Sequence, residues 1–201
     1  MRTAFFGGTF DPPHLGHLKL AEHILASGIT ERIMFVPAFS PPHKRGKRIS
    51  SFEDRLQMLK LLLKDNENII ISDIERRAQL SPSYTVSILK LIEQENPGIN
   101  LQILIGGDSL AYFHTWHKAE ELMKNWEIIT YPRRDCDPAR DDLLQHWNPK
   151  EADILLQSKL QMPYFEISST SLRDLIQNGE YPEAWLPDDV LKYIKKRGLY
   201  R

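Results

Sequence analysis

The chain holds one cysteine in 201 residues, Cys136, which excludes an internal disulfide; Asp135 and Asp137 on either side make a poor setting for a nucleophilic thiolate. A dominant charge is missing too: 26 Lys and Arg face 27 Asp and Glu, a net −1. Such balance gives no overall attraction to nucleic acid or to an anionic membrane, so neither is expected as a partner and any phosphate has to be held by a local site. Apolar runs stay short of the roughly 18 residues that span a bilayer, and Arg2 leads straight into an apolar strand instead of a secretory leader, so a cytoplasmic protein is expected. A Ser-His-Asp set, paired acids built for proton transfer, a Gly-Lys-Ser/Thr phosphate loop and a G-x-G-x-x-G turn are all absent from the sequence.

What is present begins at Gly7-Gly8-Thr9-Phe10-Asp11-Pro12-Pro13-His14-Leu15-Gly16-His17, directly after an apolar stretch. Glycines let backbone approach a ligand closely and tolerate positive φ, which suits a loop whose N–H groups face phosphate oxygens. Pro12 and Pro13 disfavour helix before them and permit one after, and Leu18, Ala21, Ile24 and Leu25 then recur at helical spacing up to Gly28. His14 and His17 therefore fall on one face of the first turn, where unpaired N–H groups and the positive end of the helix dipole favour an anion. Two histidines on one face also suit zinc, but no Glu lies between them and no third ligand follows at a recognisable spacing, so no protein metal site is expected.

Short, wholly apolar segments alternate with helical patterns. Strands are expected at 3–6, 32–36, 68–72, 101–105, 127–131 and 153–157, and helices at 15–27, 52–64, 83–95, 109–123, 139–147, 170–178 and 188–197. This is the pattern of an α/β, doubly wound parallel sheet, with ligand at the carboxyl ends of the strands. A main domain over 1–167 and a small C-terminal helical subdomain over 168–201 are expected. The stretches 37–51 and 132–150 exceed ordinary connection length and read as lids, specificity elements or solvated insertions.

A second anion-facing pattern lies late in the chain. Ser168, Ser169 and Thr170 precede Leu172, Leu175 and Ile176, so a hydroxyl caps a helix whose next N–H groups meet an anion, and Arg173 brings a fork that grips phosphate without losing its charge. Pro82-Ser83-Tyr84-Thr85 opens another helix, Tyr112 and Trp116 offer flat faces to a ring, and Asp108 follows Gly106 and Gly107 at a strand end.

The G-G-T-F-D-P-x-H-x-G-H string together with Ile167-Ser168-Ser169-Thr170-Ser171-Leu172-Arg173 resembles the nucleotidyltransferase superfamily marked by HxGH and ISSTxxR motifs. More closely, and over nearly the whole chain, the sequence is similar to the bacterial nicotinate-mononucleotide adenylyltransferases: Pro41-Pro42-His43-Lys44, Pro82 to Thr85, Gly107-Asp108 with Trp116, Arg133, and the ending Leu186-Pro187 through Gly198-Leu199-Tyr200 match that family. The resemblance implies a Rossmann-like nucleotidyltransferase fold and transfer of AMP from ATP to nicotinate mononucleotide in NAD biosynthesis. It implies His14, His17 and Arg173 as catalytic residues. ATP would be held by Gly7, Gly8, Thr9, Phe10, His17, Gly106, Asp108, Ile167, Ser168, Ser169, Thr170 and Arg173, with Mg²⁺ carried on its phosphates. Nicotinate mononucleotide would meet Lys44, Tyr84, Thr85, Tyr112, Trp116 and Arg133. The chain departs from the pattern at two places: Pro132 precedes and Arg134 follows Arg133, in reverse of the usual arrangement, and His117 replaces an aromatic residue after Trp116. A phosphopantetheine adenylyltransferase, expected to be shorter and to lack the Pro82 to Thr85 and Trp116 features, a cytidylyltransferase, and a nucleotide sensor that has lost catalysis are the competing readings. Oligomeric state is left open.

Overall fold

The structure is a computed structural model, and it describes residues 1–40, 49–80, 82–134, 136–165 and 167–201. Strands β1 (Arg2–Gly8), β2 (Arg32–Pro37), β3 (Ile69–Ile71), β4 (Asn100–Gly106) and β5 (Glu127–Tyr131) form a parallel sheet in the order β3-β2-β1-β4-β5. Helices flank it, as expected for strands that are apolar on both faces: Ala4, Phe5 and Phe6 in β1 and Ile33 to Val36 in β2 are all buried. The order reverses between β1 and β4, whose register pairs Arg2 with Asn100 and Phe5 with Ile103. Gly7-Gly8 and Gly106-Gly107 thus leave the carboxyl ends of neighbouring strands at the switch point, where α/β sheets bind ligands.

The chain divides into two compact units, residues 1–7 with 84–165 and residues 8–83 with 166–201. The first holds β1, β4, β5, α4 (Thr85–Glu95), α5 (Gly107–Ala111), a 3₁₀ turn (Phe113–Thr115), α6 (Ala119–Asn125), α7 (Arg140–Leu144) and α8 (Pro149–Gln157). The second holds β2, β3, α1 (Leu15–Ala26), α2 (Phe52–Leu63), α3 (Ile74–Ala78), α9 (Ser169–Gln177) and α10 (Asp188–Arg197). The C-terminal helical segment, 168–201, falls in the same unit as residues 8–83. Among the described residues no helix is long and apolar enough to cross a membrane.

Three expectations are corrected. Residues 153–157, expected as a strand, lie within α8, because Asn148 accepts from the Glu151 N–H at 3.0 Å, Pro149 sits in the first turn, and Ala152 and Leu155 bury one helical face. The place beside β5 is taken by the next residues: the Thr130 N–H donates to Ser158 O and the Leu160 N–H to Thr130 O, both at 2.8 Å. The expected helix 109–123 is broken, since Trp116 is extended and Lys118 adopts left-handed φ 57 at the start of α6. Phe113 is buried while Tyr112 is 66% exposed. The stretch 132–150 carries α7 and the start of α8; α7 is shorter than the helix expected over 139–147.

Candidate active site

In the second unit, the HxGH and ISSTxxR segments meet. The Arg173 Nη1 donates to Asp11 O at 2.6 Å, the Ser169 hydroxyl donates to Pro12 O at 2.9 Å, and Ile167 packs on Gly16. A Cβ on Gly16 would stand 2.8 Å from Ile167 Cγ2 and 2.9 Å from His14 Nδ1, closer than real contacts allow, so glycine is required by the packing of one motif on the other. Gly16→Ala is expected to destabilise the protein by about 1–3 kcal/mol, as overpacked sites do. Thermal unfolding checks this, and an unchanged Tm would show that the two motifs are not in contact.

His14 is the residue preceding α1 and is 3% exposed; its ring stacks on His17 at 3.7 Å between centroids. The His14 N–H donates to His17 Nδ1 at 3.2 Å, which requires an unprotonated Nδ1 and places the proton of the neutral imidazole on Nε2. His17 is half-buried. Phe10 leans edge-on against His17 at 5.1 Å and packs on Phe35. Being 3% exposed, the Phe10 ring is a core element, and any ATP contact there falls to its backbone.

Two local expectations change. Neither Gly7 nor Gly8 has positive φ; Phe10 does, at φ 51. The glycines are needed for room, because a Cβ would lie 2.9 Å from the Phe5 ring at Gly7 and 2.8 Å from the Phe10 ring at Gly8. The start of α1 also offers an anion less than its sequence suggests, for the Leu15 N–H donates to Trp185 O at 2.9 Å where the C-terminal segment crosses it.

The helix of the second motif, α9, begins at Ser169, capped by Ser168 Oγ, which accepts from the Ser171 N–H at 3.1 Å. Arg173 consequently sits one turn in and reaches back so that Nη2 donates to Thr170 Oγ1 at 3.1 Å. Lys44 lies outside the described residues.

Two buried charged groups, Arg55 and Glu75, hold the backbone around the site. Arg55, 2% exposed, donates to Ser50 O, Thr9 O and Ala38 O at 3.1, 2.8 and 2.7 Å, tying the glycine loop to the segment before α2. The signal was a cation on the buried face that Phe52, Met58, Leu59 and Leu62 define. Glu75, 4% exposed, accepts from the Phe39 N–H at 2.9 Å and the Ser83 hydroxyl at 2.8 Å. Burial raises its pKa above the ordinary value, so the folded state holds its proton more tightly than the unfolded chain and stability falls as pH rises through the raised pKa. Glu75→Gln removes that titration, so its Tm relative to wild type is expected to climb from pH 4.5 to pH 7.5; a pH-independent difference would contradict this.

In the first unit, the ring-pocket candidates lie on broken helix and strand ends. Tyr84 precedes α4, which has no acidic residue in its first turn, and stacks on His117 at 4.1 Å. Thr85 is the first residue of α4. Trp116 packs on Phe113 at 5.3 Å, and Tyr112 stands exposed. Gly106 and Gly107 admit close neighbours, Asp108 and Tyr131 for the first and the Cys136 carbonyl for the second. Arg133 Nη2 donates to the buried Tyr131 hydroxyl at 3.3 Å, and Nε lies 3.9 Å from Asp108. Burial works to lower the Arg133 pKa but is outweighed by Tyr131 and Asp108, which leave it above the ordinary value and the guanidinium firmly charged.

A parallel sheet with a glycine loop and a histidine pair at its carboxyl edge, joined to a serine-capped helix bearing an arginine, is the architecture of a nucleotide-handling α/β protein. The family model described as cytidylyltransferase-like matches residues 5–175. A probable nicotinate-nucleotide adenylyltransferase of Caldicellulosiruptor bescii is 35% identical over 202 residues, covering 100% of both chains, and the nicotinate-nucleotide adenylyltransferase of Escherichia coli O6:H1 is 37% identical over 212 residues, covering 98% of each. Among solved structures, Plasmodium falciparum nicotinic acid mononucleotide adenylyltransferase complexed with NaAD has a TM-score of 0.78 at 17% identity, covering 99% of this chain and 97% of that one, a likeness of fold. The chain is a nucleotidyltransferase and belongs to the nicotinate-nucleotide adenylyltransferase family.

Proposed function

We propose that the enzyme transfers AMP from ATP to nicotinate mononucleotide, giving nicotinate adenine dinucleotide and pyrophosphate in the route to NAD. The observation that carries this reading is the meeting of the two phosphate-facing motifs through Arg173 and Asp11 at 2.6 Å, in a chain whose full-length relatives bear that activity in their names.

The chemistry asks for positioning and charge stabilisation more than covalent help. A phosphate oxygen of the mononucleotide attacks the α-phosphorus in line, the bond from that phosphorus to the bridging oxygen breaks, and pyrophosphate leaves with the electron pair. The nucleophile has a second pKa near 6 and is mostly ionised at neutral pH, so no general base is required. In this reading His17 Nε2–H, beside His14, donates to the α-phosphate as charge develops, while Arg173, Ser169 and Thr170 hold the outer phosphates, with Gly7, Gly8, Thr9 and Ile167 shaping the loop. Asp108 serves a ribose hydroxyl, Tyr84 and Thr85 at the start of α4 receive the nicotinate carboxylate, and Tyr112, Trp116 and Arg133 frame the ring and its phosphate. Lys44 remains assigned to the mononucleotide by resemblance.

Among the described residues no three His, Cys, Asp or Glu side chains gather into a metal cage, and the carboxylate oxygens of Asp11 already accept from the Tyr200 hydroxyl and the Ser50 N–H. By resemblance, Mg²⁺ would arrive on the triphosphate, where it would neutralise phosphate oxygens. A small-molecule substrate pair and a cytoplasmic setting complete the reading.

Pyrophosphate release with ATP, Mg²⁺ and nicotinate mononucleotide tests it; no release above a His17→Ala control, or faster release with CTP, would overturn it. The amide mononucleotide is expected to react with a kcat/KM at least about tenfold lower, the discrimination that a lost anion contact at a helix start gives. Equal kcat/KM values for acid and amide would remove the role given to Tyr84 and Thr85.

A further inference from the structure

Tyr200, part of the ending singled out in the sequence, has no place in the chemistry above. Its hydroxyl donates to Asp11 Oδ1 at 2.6 Å, and the second oxygen of that carboxylate accepts from the Ser50 N–H at 3.3 Å. Asp11 is 2% exposed, and its own carbonyl receives Arg173 Nη1. The next carbonyl, that of Pro12, receives Ser169. One short run of backbone thus carries both contacts of the ISSTxxR segment, and the Tyr200 phenol fixes the side chain of its first residue.

The backbone around Tyr200 points the same way. Gly198 closes α10 in the left-handed conformation at φ 61, with the Leu199 N–H donating to Ile194 O at 3.1 Å. Tyr200 is itself left-handed at φ 64, a conformation unfavourable for a bulky side chain and retained only where surrounding contacts determine it. Burial, and then the Asp11 carboxylate, push the phenol far above its ordinary pKa, so it stays a donor throughout the working pH range. A stability role for α10 is already filled elsewhere: Tyr193 and Arg197 bind Asp54 Oδ1 at 2.8 and 3.0 Å.

We infer that Tyr200 is a positioning residue for nucleotidyl transfer: through its hydrogen bond to Asp11 it holds the carbonyl on which the Arg173 fork is oriented. The inference rests on the proposed function for its kinetic readout and on nucleotide binding for an independent one.

The test compares Tyr200→Phe, which keeps the ring and removes the hydroxyl, with Tyr193→Phe, which loosens the same helix at Asp54. Tyr200→Phe is expected to lower kcat about tenfold and to weaken binding of a non-hydrolysable ATP analogue by a similar factor, as loss of one hydrogen bond to a buried charge does, with KM for nicotinate mononucleotide unchanged. Tyr193→Phe is expected to change Tm while leaving kcat within about twofold. In an Arg173→Ala background, Tyr200→Phe is expected to add less than about twofold, because the group it orients is gone. The inference is overturned if Tyr200→Phe retains wild-type analogue affinity, fails to fold at 25 °C, shifts kcat no more than Tyr193→Phe, or multiplies the Arg173→Ala defect in full. A wild-type enzyme that releases no pyrophosphate would sink the proposed function instead, and analogue binding would still decide the case of Tyr200.

Discussion

Replacing His17 with alanine is expected to lower kcat for pyrophosphate release about 10²- to 10³-fold, the usual effect of removing one preorganised donor from a developing oxyanion. His17 is the cleaner probe of the histidine pair. His14 is buried, so its removal would confuse lost packing with lost chemistry, whereas His17 is half-exposed, accepts from the His14 N–H and stacks on the His14 ring. The stability cost of losing that acceptor is about 1 kcal/mol, too little to unfold a protein of this size. KM for nicotinate mononucleotide should stay near wild type, since its proposed contacts lie on other residues. Steady-state kinetics beside a thermal melt checks this, and a variant with kcat within threefold of wild type would remove His17 from the reaction.

Arg173→Lys is expected to be nearly as damaging, with kcat down about 100-fold at an almost unchanged Tm. Arginine places Nη1 on Asp11 O and Nη2 on Thr170 Oγ1, and that double hold aims the rest of the guanidinium while its charge persists. A lysine ammonium is one point on a flexible stem and cannot keep both contacts while it meets a phosphate. Activity within threefold of wild type would mean that only positive charge matters there, and that the orientation set by Asp11 is irrelevant.

These expectations draw on features of unequal visibility in the sequence. The five strands were legible because buried parallel strands are apolar throughout, as Ile33-Met34-Phe35-Val36 is. The same rule misled at Asp153-Ile154-Leu155-Leu156-Gln157, where the Asn148, Pro149 and Glu151 start signal should have outweighed a short apolar run. The break at Lys118 was hidden because a lysine carries no local signal for left-handed φ.

At the candidate site, the two motifs could be read because each is a local string whose residue types state their chemistry. Their juxtaposition could be inferred only from resemblance, since Ser169 and Pro12 stand 157 positions apart. Arg55 and Tyr200 were less accessible still. Each acts on the glycine loop from a distance along the chain, 46 residues for Arg55 on Thr9 and 189 for Tyr200 on Asp11; Arg55 is marked only as a cation at helical spacing from Phe52, Met58, Leu59 and Leu62, and Tyr200 by nothing in its neighbours. Phe10 shows what a motif hides: it sits inside a phosphate string, yet its ring belongs to the core.

The central claim is that His17 and Arg173 act on one bound triphosphate, and a double-mutant cycle on kcat tests it most directly. With His17→Ala, Arg173→Ala and the double variant assayed for pyrophosphate release, the account predicts strong non-additivity, the double variant being far less impaired than the product of the single losses. Losses that multiply in full would show two residues acting independently and would contradict the shared site.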